Sequence, residues 1–224
     1  MNDVPLYITR FTSWAPGLLS DPTEWQEWAR GNRNIRATKD SPGIEFTTPL
    51  FRRRLSQISR MTIQVIHDLL PIREDTKIVF VSFRGEIAQQ LKINRMLIED
   101  GDISPAAFSL SVFNTPPALA AIALDLRAGY SAVYPAEDRF DTGFLAAASP
   151  ILCGDAEETV LVYADELVPE EYGSLRPPCN EPLAFAALLS RVPGEPAVNV
   201  PASVLESPRA FLKYLYTAPI GDVS

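Results

Sequence analysis

Residues 131–145, SAVYPAEDRFDTGFL, are the stretch of this chain whose residue types point most clearly to chemistry. They indicate a short strand, a sharp turn and the start of a helix. This layout lifts the nucleophile to the top of a sheet in acyl-transfer enzymes. Here the turn carries Glu137 and Asp138, and neither cysteine nor serine lies between Ala132 and Asp141. The stretch therefore predicts the scaffold of an acyl-transfer site that lacks its nucleophile.

The remaining residues that could do chemistry are few. Cys153 and Cys179 lie 26 positions apart, which is not a metal-binding spacing, and they are expected to be ordinary thiols. His67 is the single histidine of the chain and falls in the middle of a predicted helix, where a packed or surface role is expected. Metal sites with several histidine or cysteine ligands are excluded, so no metal and no cofactor are expected.

Length and composition predict an ordinary globular protein of 224 residues with a net charge of −8. The negative charge disfavours nonspecific binding to nucleic acid, and the longest apolar runs are too short to span a membrane. The start of the chain, MNDVP, lacks the basic and apolar segments of a signal peptide, so the cytoplasm is the expected compartment.

The charge is unevenly distributed along the chain. Residues 27–60 carry a net charge of +5, whereas the rest of the chain carries −13. A solvated basic face explains this segment in the simplest way. The alternative is a docking patch for an acidic partner.

Apolar periodicity, capping residues and breakers predict alternating strands and helices. Strands are expected at 4–12, 77–83, 131–134, 159–164 and 183–189. Helices are expected from Asp21-Pro22, at 48–70, 86–99, 116–128 and 140–152, and from Ser207-Pro208, and the apolar segment 104–114 is expected to be partly extended. The order predicts one α/β domain over residues 1–224, with a mostly parallel sheet.

Three segments together carry a family resemblance. They are Leu50–Met61 (LFRRRLSQISRM), Ser104–Asn114 (SPAAFSLSVFN) and Pro135–Phe140 (PAEDRF). In this order they resemble the N-terminal half of β-ketoacyl synthases, the thiolase-like condensing enzymes. More closely, they are similar to the short chain-length-factor family of aryl polyene and xanthomonadin-type pigment clusters, which commonly has His-Asn where this chain has Phe113-Asn114.

The resemblance implies a thiolase-like half-fold, with a mixed, mostly parallel sheet and helices on both faces. It also implies a subunit that is not an enzyme, pairs with an active ketosynthase as a heterodimer, meets an acyl carrier protein transiently and shapes the acyl tunnel. Two alternatives stay open. In one, the turn carboxylate supports decarboxylation of malonyl-carrier protein for priming; in the other, the chain is a pure assembly scaffold.

The resemblance also assigns roles to individual residues. Glu137 falls where active ketosynthases have their cysteine, with Asp138 as the alternative, although both carboxylates could simply cap the following helix. Asn114 is implied to be structural and to bond backbone near the turn. The expected tunnel or interface residues are Ala106, Ala107, Phe108, Phe113, Asn114, Tyr134, Pro135 and Phe140. The expected docking residues for the carrier protein are Arg52, Arg53, Arg54 and Arg60.

Overall fold

A five-stranded sheet forms the centre of the fold. The computed structural model describes residues 6–18, 21–192 and 200–218. The strands are β1 (Tyr7–Trp14), β2 (Lys77–Val81), β3 (Tyr130–Val133), β4 (Glu158–Asp165) and β5 (Leu183–Ser190). Their order is β1-β5-β4-β2-β3. Because β5 is antiparallel to both neighbours and the other pairings are parallel, four strands point the same way. The predicted mixed, mostly parallel sheet is confirmed.

Helices cover both faces of this sheet, as predicted. Within the described residues they are α1 (Pro22–Ala29), α2 (Pro49–Arg52), α3 (Gln57–Leu69), α4 (Ile87–Asp100), α5 (Pro105–Ser109), α6 (Thr115–Ala123), α7 (Phe140–Leu152) and α8 (Pro208–Thr217). Helices α3 and α6 pack on one face, and α7 and α8 pack on the other, with α1 against α8. Strand β5 is buried along its whole length, which explains its continuous apolar sequence.

The predicted helix 48–70 is wrong in one respect, because it is two helices. Helix α2 ends at Arg52, and α3 begins at Gln57, directly after its N-cap Ser56. The hydroxyl of Ser56 accepts a hydrogen bond from the backbone N–H of Ser59 at 3.1 Å. A serine cap satisfies an N–H group that would otherwise lack a partner, and so fixes a helix start. The apolar period continues across this break, which is why the pattern predicted a single helix.

Segment 104–114 also differs from the prediction. It is not extended but contains the short helix α5, which Ser104 caps by accepting from the N–H of Ala107 at 3.1 Å. Helix α6 ends at Ala123 rather than at Ala128, and Asp125 beyond it has φ of +51°. A residue in the left-handed region cannot continue a right-handed helix.

Candidate functional site

The strand–turn–helix stretch forms a tight elbow between β3 and α7. A single 3₁₀ turn, Ala136–Asp138, joins the two elements, and α7 starts at Phe140. Glu137 and Asp138 both lie in the left-handed region, with φ of +56° and +55°. Each such non-glycine residue costs roughly 1–2 kcal/mol, so two in succession persist only where surrounding contacts hold them.

The two carboxylates of the elbow have different surroundings. Asp138 accepts two hydrogen bonds from the guanidinium of Arg84, at 2.6 and 2.5 Å, and these bonds raise the pKa of Arg84. Glu137 is exposed at the tip and makes no hydrogen bond within residues 6–18, 21–192 and 200–218. Neither carboxylate caps α7, since Arg139 occupies the N-cap position without a side-chain bond. The capping interpretation is therefore wrong, and Asp138 is the one of the two exposed carboxylates that is bound to Arg84.

Strain at the elbow tip gives a direct stability test. We expect Glu137→Gly to raise the free energy of unfolding by roughly 0.5–1 kcal/mol, because glycine adopts positive φ without steric cost. Denaturant unfolding at neutral pH measures this change. Glu137→Ala is the matched control, since it removes the carboxylate but keeps the backbone strain. A stabilisation of equal size in both variants would mean that charge, not strain, is relieved.

The elbow is held by the loop after β2, which we call the β2 loop (Ser82–Glu86). At the end of β4, the half-buried Asp165 carboxylate accepts hydrogen bonds from the loop, at 2.7 Å from the Ser82 hydroxyl and 3.1 Å from the N–H groups of Phe83 and Arg84. Burial raises the pKa of Asp165, and its hydrogen bonds and the nearby Arg84 oppose that shift. Asp165 thus fixes the loop that carries Arg84 to the elbow.

The other two resemblance segments meet the same loop. Phe113 packs over Gly85, where an added Cβ would lie 2.7 Å from the ring, and its ring contacts Tyr134 edge-on at 5.9 Å. At the start of α3, Ser56 and Ser59 donate hydrogen bonds to Glu86 at 2.8 and 2.6 Å. The β2 loop therefore joins all three segments.

The sequence reasoning missed the β2 loop and the carboxyl groups of Asp165 and Glu166 at the end of β4. A signal was present: Ser82 to Glu86 follow one apolar strand, and Asp165 and Glu166 follow another. The carboxyl ends of neighbouring parallel strands meet at one edge of a sheet, which is where sites form in α/β folds.

The predicted tunnel and interface residues other than Asn114 fall into three groups. Ala106, Ala107 and Phe108 lie on α5, which buries none of its residues, and Phe108 is 58% exposed. Phe140 instead lies in the core with its side chain fully buried, and Pro135 is buried as well. The structure brings Phe113 and Tyr134 together beside the elbow.

Asn114 does not have the role implied for it. Its side-chain amide donates to the hydroxyl of Tyr130 at 3.3 Å. Tyr130 starts β3, at the end of the strand opposite the elbow. The expectation that Asn114 bonds backbone near the elbow is therefore wrong, because the turn before α6 directs its side chain elsewhere.

The predicted docking arginines lie around the junction of α2 and α3. Arg60 donates to the carbonyl of Arg52 at 2.7 Å, and Arg52 donates to the carbonyl of Ile44 at 3.5 Å. Arg53 and Arg54 are exposed and form no ion pair in the described part of the chain. Two guanidinium groups are thus free to meet an acidic surface.

Strand β3 forms an open edge of the sheet. It pairs with β2 on one side, and no described strand pairs with its other side. Apolar side chains are exposed on the adjoining elements: Tyr134 directly after β3 is 62% exposed, and Ile122 on α6 is 71% exposed. An unpaired edge beside exposed apolar groups is typical of a surface that a partner covers.

Cys153 and Cys179 are free and exposed. Among residues 6–18, 21–192 and 200–218, no three histidine, cysteine or carboxylate side chains are grouped to hold a metal ion, and no helix has the length and apolarity to cross a membrane. His67 stacks on Phe46, with ring centroids 3.7 Å apart.

Comparison with known proteins gives one family match and several similar structures. A family profile described as "Beta-ketoacyl synthase, N-terminal domain" matches residues 25–209. No curated protein matches the chain. A chain of the complex of the ketosynthase ApeO with its chain length factor ApeC, from Xenorhabdus doucetiae, is 24% identical, with a TM-score of 0.79 over 97% of this chain and 93% of that chain.

Two further structures share the fold at lower identity. The ishigamide ketosynthase/chain length factor is 13% identical with a TM-score of 0.61, and the AntDE:AntF complex of a ketosynthase with its acyl-carrier protein is 15% identical with a TM-score of 0.58. In each case the similarity covers 83% of this chain but 62% of the matched chain. At these identities the likeness establishes the fold.

Proposed function

The chain belongs to the β-ketoacyl synthase N-terminal domain family, and on this premise we propose that it is a non-catalytic, chain-length-factor-like subunit. It forms a heterodimer with an active β-ketoacyl-ACP synthase and shapes the acyl tunnel of that enzyme. The pathway is of the aryl polyene, polyketide or fatty-acid type. The observation that carries the proposal is an intact elbow with a carboxylate at its tip.

The chemistry of the elbow argues against an acyl-carrying role. An acyl group on the Glu137 carboxylate would be an anhydride, which water hydrolyses. The single histidine, His67, lies on α3. Its ring stacks on Phe46, and its Nδ1 forms a hydrogen bond with the carboxylate of Asp68 at 3.0 Å. A condensing site needs a stable acyl nucleophile and groups that stabilise an oxyanion or enolate. Glu137 cannot hold a stable acyl group, and the guanidinium of Arg84 at the elbow is already bound to Asp138.

The similarity to one solved complex supports the role of a companion subunit. The chain aligns with 93% of a chain in the ApeO–ApeC complex, whereas it covers 41–62% of the chains in six other similar structures. The ApeO–ApeC complex joins a ketosynthase to its chain length factor. A chain built like one member of such a complex would pair with the other.

The open β3 edge is the proposed contact with the ketosynthase. The exposed backbone of β3 would pair with a strand of the partner, and the apolar groups around it, including Tyr134 and Ile122, would be covered. Permanent complexes of this kind bury upwards of about 2,000 Å² in total. Helix α5, with Ala106, Ala107 and Phe108, would then lie along the acyl tunnel.

Carrier-protein docking is the second contact in the proposal. Arg53 and Arg54 project from the α2–α3 junction without ion-pair partners in the described residues. An acidic helical carrier protein is the partner that such a basic patch attracts, mainly by speeding association. The contact is transient and salt-sensitive.

A complex of this chain with its ketosynthase provides the test. Co-expression with a candidate ketosynthase should yield a 1:1 complex on size measurement, and the chain alone should self-associate or aggregate. A stable, monodisperse monomer that binds none of the candidate ketosynthases would overturn the proposal.

Decarboxylation of malonyl-carrier protein is a second candidate, favoured by the free carboxylate of Glu137 at the elbow tip. We expect no carbon dioxide release from the complex once the cysteine of the ketosynthase is blocked, because the Arg84 guanidinium at the elbow is bound to Asp138 and is not available to stabilise the enolate. Radiolabelled malonyl-carrier protein measures this release. Release that persists after blocking and disappears in Glu137→Gln would assign the priming role instead.

A further inference from the structure

Two buried carboxyl groups, Glu86 and Glu166, lie where the β2 loop meets the starts of α3 and α4, apart from the elbow. Glu86 ends the loop and precedes α4, and Glu166 follows β4. Their exposed fractions are 0% and 4%. Ionised carboxylates are almost never buried without a positive partner, so this arrangement requires an explanation.

Glu166 joins the first turns of two helices. One of its oxygens accepts a hydrogen bond from the N–H of Ala88 in α4 at 2.9 Å, and the other accepts from the N–H of Ile58 in α3 at 3.4 Å. Helix N-termini favour negative charge and supply donors that lack intrahelical partners. Both oxygens of Glu166 are therefore placed as acceptors.

Glu86 has one oxygen in use and one without a partner. Its Oε1 accepts hydrogen bonds from the hydroxyls of Ser59, at 2.6 Å, and Ser56, at 2.8 Å. Its Oε2 is buried and has no hydrogen-bond partner in the described part of the chain. A buried ionised oxygen left unpaired in this way is strongly unfavourable.

The charged groups around the pair do not neutralise it. Asp165, next to Glu166, is itself acidic and is hydrogen-bonded to the β2 loop and to the hydroxyl of Tyr163. The guanidinium of Arg84 points to Asp138 and to the carbonyl of Phe83. The positive charge that the pair requires must therefore come from outside the described side chains.

A proton satisfies this requirement better than a metal ion. Calcium and magnesium take six or more oxygen ligands, whereas Glu86 Oε2 is the one oxygen of the two carboxyl groups without a hydrogen bond.

Burial raises the pKa of Glu86 to about 7 and the pKa of Glu166 to about 8, and repulsion from Glu86 contributes to the pKa of Glu166. Both oxygens of Glu166 accept N–H bonds, whereas Oε2 of Glu86 accepts none, so the proton belongs on Glu86.

We propose that Glu86 and Glu166 form a proton-holding carboxyl pair, with the proton on Oε2 of Glu86, which links α3 to α4. When the pair ionises, the proton leaves to water and two buried anions remain at the starts of α3 and α4. Their repulsion loosens the junction between the two helices. This pH-sensitive device belongs to the chain itself and does not rest on the proposed function.

The direction of the pH effect follows from linkage. In the unfolded chain both groups titrate near 4.5, whereas in the folded chain their pKa values are higher. Between about pH 4.5 and about pH 8 the folded state binds more protons, so stability falls as the pH rises through this window. Above about pH 8 the stabilisation that the bound proton provides is fully lost, and the ionisation of this pair no longer makes stability depend on pH.

The test compares denaturant unfolding at about pH 5.5 and about pH 8.5 in three proteins: wild type, Glu86→Gln and Glu99→Gln. Glutamine mimics protonated Glu86 and cannot ionise. Between the two pH values the unfolding midpoint of this variant should therefore fall by no more than about half of the wild-type decrease, and at the higher pH it should exceed the wild-type midpoint. Glu99 is exposed on α4, so its variant is a matched control and should follow wild type.

Infrared spectroscopy gives a readout that folding stability alone would not move. A carboxylic acid C=O band should be present in the wild type at neutral pH, vanish at alkaline pH and be absent or weaker in Glu86→Gln. A flat pH profile in the wild type, or a Glu86→Gln variant that declines in parallel with it, would overturn the proposal. So would the absence of the acid band at neutral pH.

Discussion

Replacing Ala132 with proline is expected to abolish the stable complex with the ketosynthase while the chain stays folded. The carbonyls of Gly129 and Val133 accept hydrogen bonds from Ile78 and Ser82 on the β2 side, both at 3.3 Å. Since the backbone of alternate residues in a strand points to opposite sides, the N–H of Ala132 faces the open edge. Proline removes this donor and obstructs a partner strand without removing a β2–β3 bond.

The expected loss of affinity is about 100-fold or more, equivalent to ~2.7 kcal/mol. Isothermal calorimetry with the purified ketosynthase, or co-purification yield, measures it, and circular dichroism checks the fold. Ala132→Ser keeps the N–H group and is the matched control, which should bind like the wild type. Unchanged binding of a folded proline variant would show that the partner does not use this edge.

Replacing Ala107 with phenylalanine is expected to shift the products of the complex toward shorter chains. Ala107 lies half-buried on α5, beside the exposed ring of Phe108. If α5 lines the tunnel, an added ring would fill the space that the last units of the acyl chain occupy. Changes of one methylene in an apolar pocket alter discrimination by about 10–200-fold, so the longest product should decrease by at least about tenfold.

The opposite substitution provides the control for this result. Phe108→Ala removes a ring from the same helix and should lengthen the products, and mass spectrometry of the released chains measures both variants. Helix α5 buries none of its residues within the described chain, so neither change should disturb its fold. Wild-type product lengths from both variants, in an intact complex, would favour a pure assembly scaffold.

Much of the fold could be predicted because its signals are local. Helix α7 begins at Phe140 and ends at Leu152 as predicted, and the apolar run at 183–189 is strand β5. Helix α4 ends at Asp100, and the φ of +70° at the following Gly101 explains why glycine marks that position. Short-range patterns fix such elements without help from distant residues.

The candidate site could be predicted only in part. The elbow and its carboxylates follow from a local pattern, but the difference between Glu137 and Asp138 depends on Arg84, 54 residues away. The β2 loop depends on Asp165, more than 80 residues further along the chain. Contacts of this range arise from the strand order, which no local pattern encodes, and they decide which carboxylate the elbow presents.

The strain at the elbow is supported by the polar contacts beneath it. Asp165 fixes the β2 loop, the loop directs Arg84, and Arg84 holds Asp138 in its left-handed conformation. Such strain persists when surrounding structure over-determines it, and it is found mostly at functional sites. An elbow kept in this shape without a nucleophile is consistent with a role in shaping the partner's cavity.

The position of the acyl group in the working complex tests the central claim most directly. The complex of this chain with its ketosynthase is incubated with acyl-loaded carrier protein, and the intact mass of each subunit is measured. We predict an acyl adduct on the ketosynthase and none on this chain, with both subunits present in equal amounts. An acyl adduct on this chain, at the elbow or at either cysteine, would contradict the claim that it is a non-catalytic partner.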